Sequence, residues 1–297
     1  LALAGSTVVA LVASTDGWWN MPRDDFAGIV GFADDDVRAT PARVLWVGDD
    51  ELIPGGDGWR LGDDLAYTAS TVQAVPGVAD LWPATADGAS ERMADALTLA
   101  LDHDTTRLGR VLAPMGVRYI AVPRRLAPAD DTPRTTPAQA DADRAADALA
   151  GALAEQLDLQ QVRLDPGLVL YRNTAALPLR SAYPGGVTDD PADARPVLGD
   201  DVGPRTARGS VPDDATVVQA STASDHWHLR VAGSGEAEHG SAYGWADSFT
   251  VDAGGAARLA YRTPLAVRAL VAGQVALWLL VLGVALRMRF GPGGAPS

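Results

Sequence analysis

The sequence contains no cysteine and no lysine; all 24 of its basic residues are arginine. Without cysteine there is no disulfide, no thiolate metal site and no cysteine nucleophile. Equally missing are a P-loop, a GxGxxG after a strand, a GxSxG and an HExxH, the signatures of nucleotide, dinucleotide, hydrolase and zinc-protease chemistry. Positive charge is scarce, with 24 basic against 38 acidic residues and a net charge of −14. An acidic surface repels nucleic-acid phosphates, so nucleic acid is not expected as a partner. It also repels anionic lipid, so membrane contact is expected through apolar segments. The bias to Ala, Arg, Gly, Asp and Pro fits a GC-rich genome, with halophilic adaptation as an alternative source of the acidity.

One long stretch lacks charge altogether. From Ala269 to Leu286 the only polar side chain is Gln274. At ~1.5 Å per residue this helix spans about 27 Å, close to the ~30 Å hydrocarbon core of a bilayer. Arg287 and Arg289 follow as a snorkelling flank. A buried core helix rarely stays apolar on every face for so long, so residues 264–289 are predicted to be a transmembrane helix, with 290–297 as a cytoplasmic tail. Leu1–Ala13 is also apolar, too short to span alone and without the basic start of a signal peptide. Residues 1–15 are therefore expected to be the end of another membrane helix that begins upstream, with Trp18 and Trp19 at its interface.

Between these ends the pattern changes once. Arg43–Gly48 and Gly116–Val122 read as buried strands. Asp64–Gln73, Leu159–Leu164 and Gly167–Arg172 read as further strands. Ser90–His103 places Met93, Leu97 and Leu101 at helical spacing, with Ser90 as the expected N-cap. Thr106–Met115 and the Ala-rich Ala138–Leu157 read as helices, the second after a Pro-rich loop from Pro123. This alternation predicts an α/β domain over 16–177 with a small mixed or parallel sheet. Pro178–Pro212 is rich in Pro, Gly and Asp and reads as a linker or long loop. Short runs at Thr216–Ala220, His226–Val231, Ser248–Val251 and Ala257–Tyr261 then predict a small antiparallel β-sandwich over 213–263.

Chemical signals are sparse. His226 and His228 lie two apart on a strand, with His239 nearby, which makes a three-His zinc site conceivable. No carboxylate partner is evident in the sequence, and no metal or cofactor is expected. The acidic pairs, from Asp49-Asp50 to Asp213-Asp214, have no EF-hand spacing and read as solvated surface. Trp227, Tyr243 and Trp245 are the candidate carbohydrate-binding residues, because exposed sandwich aromatics stack on sugar rings. The competing reading places the same rings in the sandwich core.

The series Arg43–Gly48, Arg107–Ala113, Met115–Val122, Gln156–Leu159 and Leu168–Asn173, closed by the Trp-containing sandwich and the apolar helix, resembles the C-terminal part of large actinobacterial membrane proteins. These carry a family 2 glycosyltransferase domain at the N-terminus, followed by a polytopic membrane region. The sandwich and last helix are also similar to the end of the YfhO-like membrane glycosyltransferases. The resemblance implies a parent that builds or exports cell-envelope glycans. Its DxD-type motif belongs to a separate domain; Asp34–Asp36 and Asp141–Asp143 match by letter alone, and no catalytic residue carries over.

The expectation is a non-catalytic extracytoplasmic module in the cell membrane, contacting lipid through its terminal helices and envelope glycan or partner proteins through its body. A carboxylate-based enzyme domain and a purely structural or assembly domain are the alternatives. Arg287 and Arg289 place the cytoplasm beyond the last helix.

Overall fold

The computed structural model describes residues 26–53, 59–62, 65–70, 87–125, 137–165, 167–188, 193–203 and 205–290. The expected first membrane segment, Trp18 and Trp19, and the tail beyond Phe290 lie outside them.

Sheet A contains β1 (Arg43–Gly48), β2 (Trp59–Leu61), β3 (Leu65–Ser70), β4 (Val117–Pro123), β5 (Leu159–Asp165) and β6 (Leu168–Asn173), in the order β2-β3-β1-β4-β6-β5. Only β1 and β4 run parallel; the other neighbours are antiparallel, so the sheet is mixed. The apolar run of β1 reflects burial on both faces. Val44 and Trp46 pack with Val30, Ala33 and Val37 of α1 (Ala27–Ala39). Leu45 and Val47 face the other way, into a core shared with α2 (Gly88–Leu101), α3 (Leu108–Leu112) and α4 (Pro137–Ala154). A 3₁₀ turn, Ala113–Met115, ends at Gly116 with φ 70°, and a side chain there would also meet Leu179 Cδ2 at 2.6 Å.

The sandwich starts earlier than the composition suggests. Pro178–Pro212, expected as a linker, supplies β7 (Arg180–Pro184), β8 (Arg195–Pro196), β9 (Asp200–Gly203) and β10 (Thr206–Val211). These strands are short and broken by Pro and Gly, so they carry no readable period. They join β11 (Ala215–Thr222), β12 (Trp227–Val231), β13 (Gly235–Glu236), β14 (Glu238–Ala242), β15 (Ala246–Val251) and β16 (Gly255–Tyr261). Sheet B has the order β14-β15-β11-β7-β8 and sheet C the order β13-β12-β16-β10-β9. Ala182, Val217, Phe249 and Val251 of sheet B meet Leu229, Val231 and Leu259 of sheet C in the sandwich core.

The two regions share a core. Tyr183, Val218, Ala220 and Trp245, on the opposite face of sheet B, join the cluster that holds Leu97 of α2 and Leu45 of β1. Sheet B is therefore covered on both sides, and the layers stack as α1, sheet A, α2–α4, sheet B and sheet C. At this seam Asp87, not Ser90, caps α2: its Oδ1 accepts from the amides of Ala89 at 3.1 Å and Ser90 at 3.0 Å, while Ser90 Oγ accepts from the Asp87 amide at 2.7 Å. The Ala89 amide is also 3.3 Å from Thr222 Oγ1 of β11, which ties the helix start to sheet B. Burial pushes the Asp87 carboxyl up, but hydrogen bonds from Ser90, Thr222 and Ala89 outweigh it and hold the pKa below its usual value.

A second polar joint fixes α3. Asp158 accepts from Gly109 N at 3.0 Å and Arg110 N at 2.7 Å, and Gln156 Oε1 accepts from Leu108 N at 2.9 Å. Helix α4, expected to reach Leu157, stops at Ala154 so that the following turn can deliver these side chains. Asn173 Nδ2 completes the joint by donating to the carbonyls of Gly109 at 2.8 Å and Val117 at 2.9 Å.

Two outcomes follow from these joints. Asp158→Ala strands the buried Gly109 amide and the part-buried Arg110 amide and should lower the unfolding free energy by about 1–3 kcal/mol in a urea titration; an unchanged midpoint contradicts the capping role. Asp87→Ala should cost about 1 kcal/mol at neutral pH. Because the folded-state pKa of Asp87 is depressed, its contribution is complete above the unfolded value and is lost as pH falls through the folded value. The gap between wild type and variant should therefore close in strong acid, and a gap independent of pH contradicts the assignment.

Candidate functional site

The three candidate aromatics do not form one platform. Trp227 opens β12, partly buried against the sandwich core, with its ring edge-on to Tyr261 at 5.3 Å and 71°. Tyr243 and Trp245 lie in the β14–β15 turn, on the seam with α2. Tyr243 has φ 53°, and its hydroxyl is 2.7 Å from that of Tyr183. Burial and this hydrogen bond push the Tyr183 hydroxyl far above its usual pKa. Trp245 is only 8% exposed and packs in the shared core. Of the three rings, Trp227 and Tyr243 keep an accessible edge, on different elements.

The histidines are also separated. His226 packs edge-on against Tyr261 at 5.6 Å. His228 Nδ1 lies 2.5 Å from Glu236 Oε1 on the outer face of sheet C. His239 belongs to sheet B, with Nε2 2.8 Å from Asp247 Oδ1. Among the described residues no group of three or more His, Asp or Glu is arranged to hold a metal.

Asp247 is the residue the sequence did not single out. It is fully buried, and its carboxylate accepts from Ser221 Oγ at 3.0 Å, the Ser224 amide at 2.8 Å and His239 Nε2. The signal that marks it is an acid two residues before Phe249 in a strand whose inward positions are otherwise apolar. The hydrogen bond fixes the His239 tautomer and turns Nδ1 toward Asp225, 3.9 Å away. Ser221 bonds the carboxylate and not the imidazole, so the three groups do not form a nucleophile–base relay. The arrangement anchors the β11–β12 connection to sheet B.

No protein-family model, curated protein or solved structure matches the chain. Function is therefore read from the geometry.

Among the described residues, the carboxylates displaced from their ordinary range are Asp87 and Glu236, and both are displaced downward. A general acid needs the opposite displacement. For Glu236 the hydrogen bond from His228 leads, working against desolvation and supported by Arg262. Asp36, one of the acids in the DxD-like triplet, is engaged structurally, accepting from Arg118 Nη1 and Tyr119 Oη at 2.9 Å each.

The most exposed feature is α5 (Leu265–Phe290). Its stretch Leu265–Val284 has a mean hydropathy of 2.1 and no buried share. Leu270, Leu279 and Leu280 are all more than half exposed, which a core helix would not allow. Of the terminal basic flank, Arg287 and Arg289 lie on this helix.

Trp245→Ala should destabilise the chain by about 3–5 kcal/mol, as for a large buried aromatic, whereas Trp227→Ala should cost less. Thermal unfolding of both variants measures this, and equal costs would contradict the placement of Trp245 in the shared core.

Proposed function

We propose that the chain is a membrane-tethered extracytoplasmic module of an envelope glycosyltransferase, and that it acts by binding and not by catalysis. The observation that carries the reading is the fully exposed apolar helix that leaves the last sandwich strand after Arg262, Thr263 and Pro264. Such a helix finds its solvent in lipid. Because sheet B joins the sandwich to the α/β layers, a tether at α5 acts on the whole body. The sugar-polymer part of the reading rests on the resemblance described above and on the accessible edge of Trp227. The internal use of Tyr243 and Trp245 favours, as a second reading, an assembly domain that contacts other protein parts.

The chain has no cysteine, so Ser234→Cys in the exposed β12–β13 turn gives a single reporter. A membrane-impermeant thiol reagent should label it on intact cells; labelling only after lysis contradicts the extracytoplasmic placement. Leu279→Arg with Leu280→Arg adds about 2.5–3.5 kcal/mol per residue to insertion and should move the chain out of the carbonate-resistant fraction. Full-length chain in nanodiscs should bind an envelope-glycan panel, and Trp227→Ala should weaken that binding. No binding to any glycan on the panel would leave the assembly reading.

A further inference from the structure

The net charge of −14 hides a local asymmetry. Sheet C and its exit into α5 carry Arg205, Arg208, Arg230, Arg258, Arg262 and Arg268. In the strand register Arg258 of β16 stands directly opposite both Arg208 of β10 and Arg230 of β12. All three are exposed, while their strand neighbours Ala207, Leu229 and Leu259 are buried inward. Adjacent strands lie about 4.8 Å apart, so three guanidinium groups share a row roughly 10 Å wide. Like charges directly opposite each other destabilise a sheet. The same face is otherwise low, with Ser210, Ala256 and Ala260 beside the row.

The counter-charges are few. Glu236 Oε2 is 3.6 Å from Arg230 and 3.6 Å from Arg262, and Asp200 of β9 lies opposite Arg208 in the register. Among the described side chains, no carboxylate lies at ion-pair distance from Arg208 or Arg258. Asp213, Asp214 and Asp252 instead gather in the turns at the end of the sandwich remote from α5. At the near end Arg205 lies over the Tyr261 ring at 5.3 Å and donates to Thr263 Oγ1 at 3.1 Å. The far end of the sandwich thus carries Asp213, Asp214 and Asp252, whereas the face and edge that run into the apolar helix carry six arginines against Glu236, Asp225 and the β9 acids.

We propose that the outer face of sheet C docks on anionic phospholipid headgroups and draws the sandwich down onto the bilayer. This rests on α5 being a membrane span. A soluble polyanion would suit the same charges, but β16 runs directly into α5, which brings the arginine face next to the membrane span, so the membrane is the partner the geometry favours. With the strands upright, the seven residue steps from Arg258 to Leu265 would hold the row up to about 23 Å away. That exceeds two screening lengths of about 10 Å at 0.1 M salt, so docking requires the body to lean about Arg262, Thr263 and Pro264.

The test uses the full chain with Ser234→Cys, dye-labelled, in proteoliposomes bearing acceptor-labelled headgroups. Energy transfer should be higher with one-third phosphatidylglycerol than with phosphatidylcholine alone. It should fall to the neutral-lipid value in 1 M salt, where screening shortens to about 3 Å. Each arginine near an anionic surface shifts the docked population about fivefold. The triple variant Arg208→Gln, Arg230→Gln, Arg258→Gln should therefore shift the docked-to-upright ratio by about a hundredfold and abolish the difference. The matching triple Lys variant should retain it, which separates charge from folding. Equal transfer in the two lipids, or a Gln triple that behaves as wild type, overturns the proposal. A response to added soluble polyphosphate but not to anionic lipid also overturns it, in favour of a soluble polyanion. Release by alkaline carbonate overturns the span and the docking together, whereas retention with lipid-independent transfer overturns the docking alone.

Discussion

The structure depends on sheet B being covered on both faces. Toward sheet C it buries Val217, Phe249 and Val251; toward the helices it buries Tyr183, Val218 and Trp245. A large apolar side chain taken fully out of water contributes about 1.5–3 kcal/mol, so each face holds enough to resist separation. The cost falls on polar atoms trapped at the seam. Tyr183 answers it by pairing with Tyr243, which sits in the left-handed region at φ 53°. The Ala89 amide answers it with Thr222. A linker between independent domains would have no need of these pairings.

Burial on two faces also explains what the sequence made legible. The continuous apolar runs of β1 and β4 were recognisable because strands covered on both sides lose their alternation. The apolar helix was recognisable because it has no polar side at all. Sheet B was harder to see. Its strand β7, between β11 and β8, is five residues long and ends at Pro184, beside Gly185 and Gly186 with positive φ. A strand that short, framed by turn residues, reads as loop. The cap of α2 was displaced by three residues because Asp87 and Ser90 share the capping box, and the helix begins at the earlier one.

The site was less legible than the fold. Aromatic residues in a sandwich suit either a sugar surface or a core, and only packing separates these roles; Trp245 went to the core and Trp227 kept an edge. Asp247 was hidden among many acids, since sequence alone does not show which carboxylate is buried. Charge misled in the same way. A net value averages over the surface, whereas the Arg208–Arg258–Arg230 row arises only when three strands distant in sequence fall into register. The expectation that acidity disfavours anionic lipid was drawn from the net charge, and the proposed docking of sheet C departs from it. Sheet B keeps the body whole; in the proposed arrangement the helix fixes that body to the bilayer and sheet C sets which side turns down.

The central claim is that the α/β layers and the sandwich form one body. Native-state hydrogen exchange of the full chain, followed across increasing urea, tests it most directly. The amides of β1 and β4 in sheet A and of β11 and β15 in sheet B should merge into a single opening transition with one free energy. Two separate transitions, with the sandwich opening while sheet A stays protected, would contradict it.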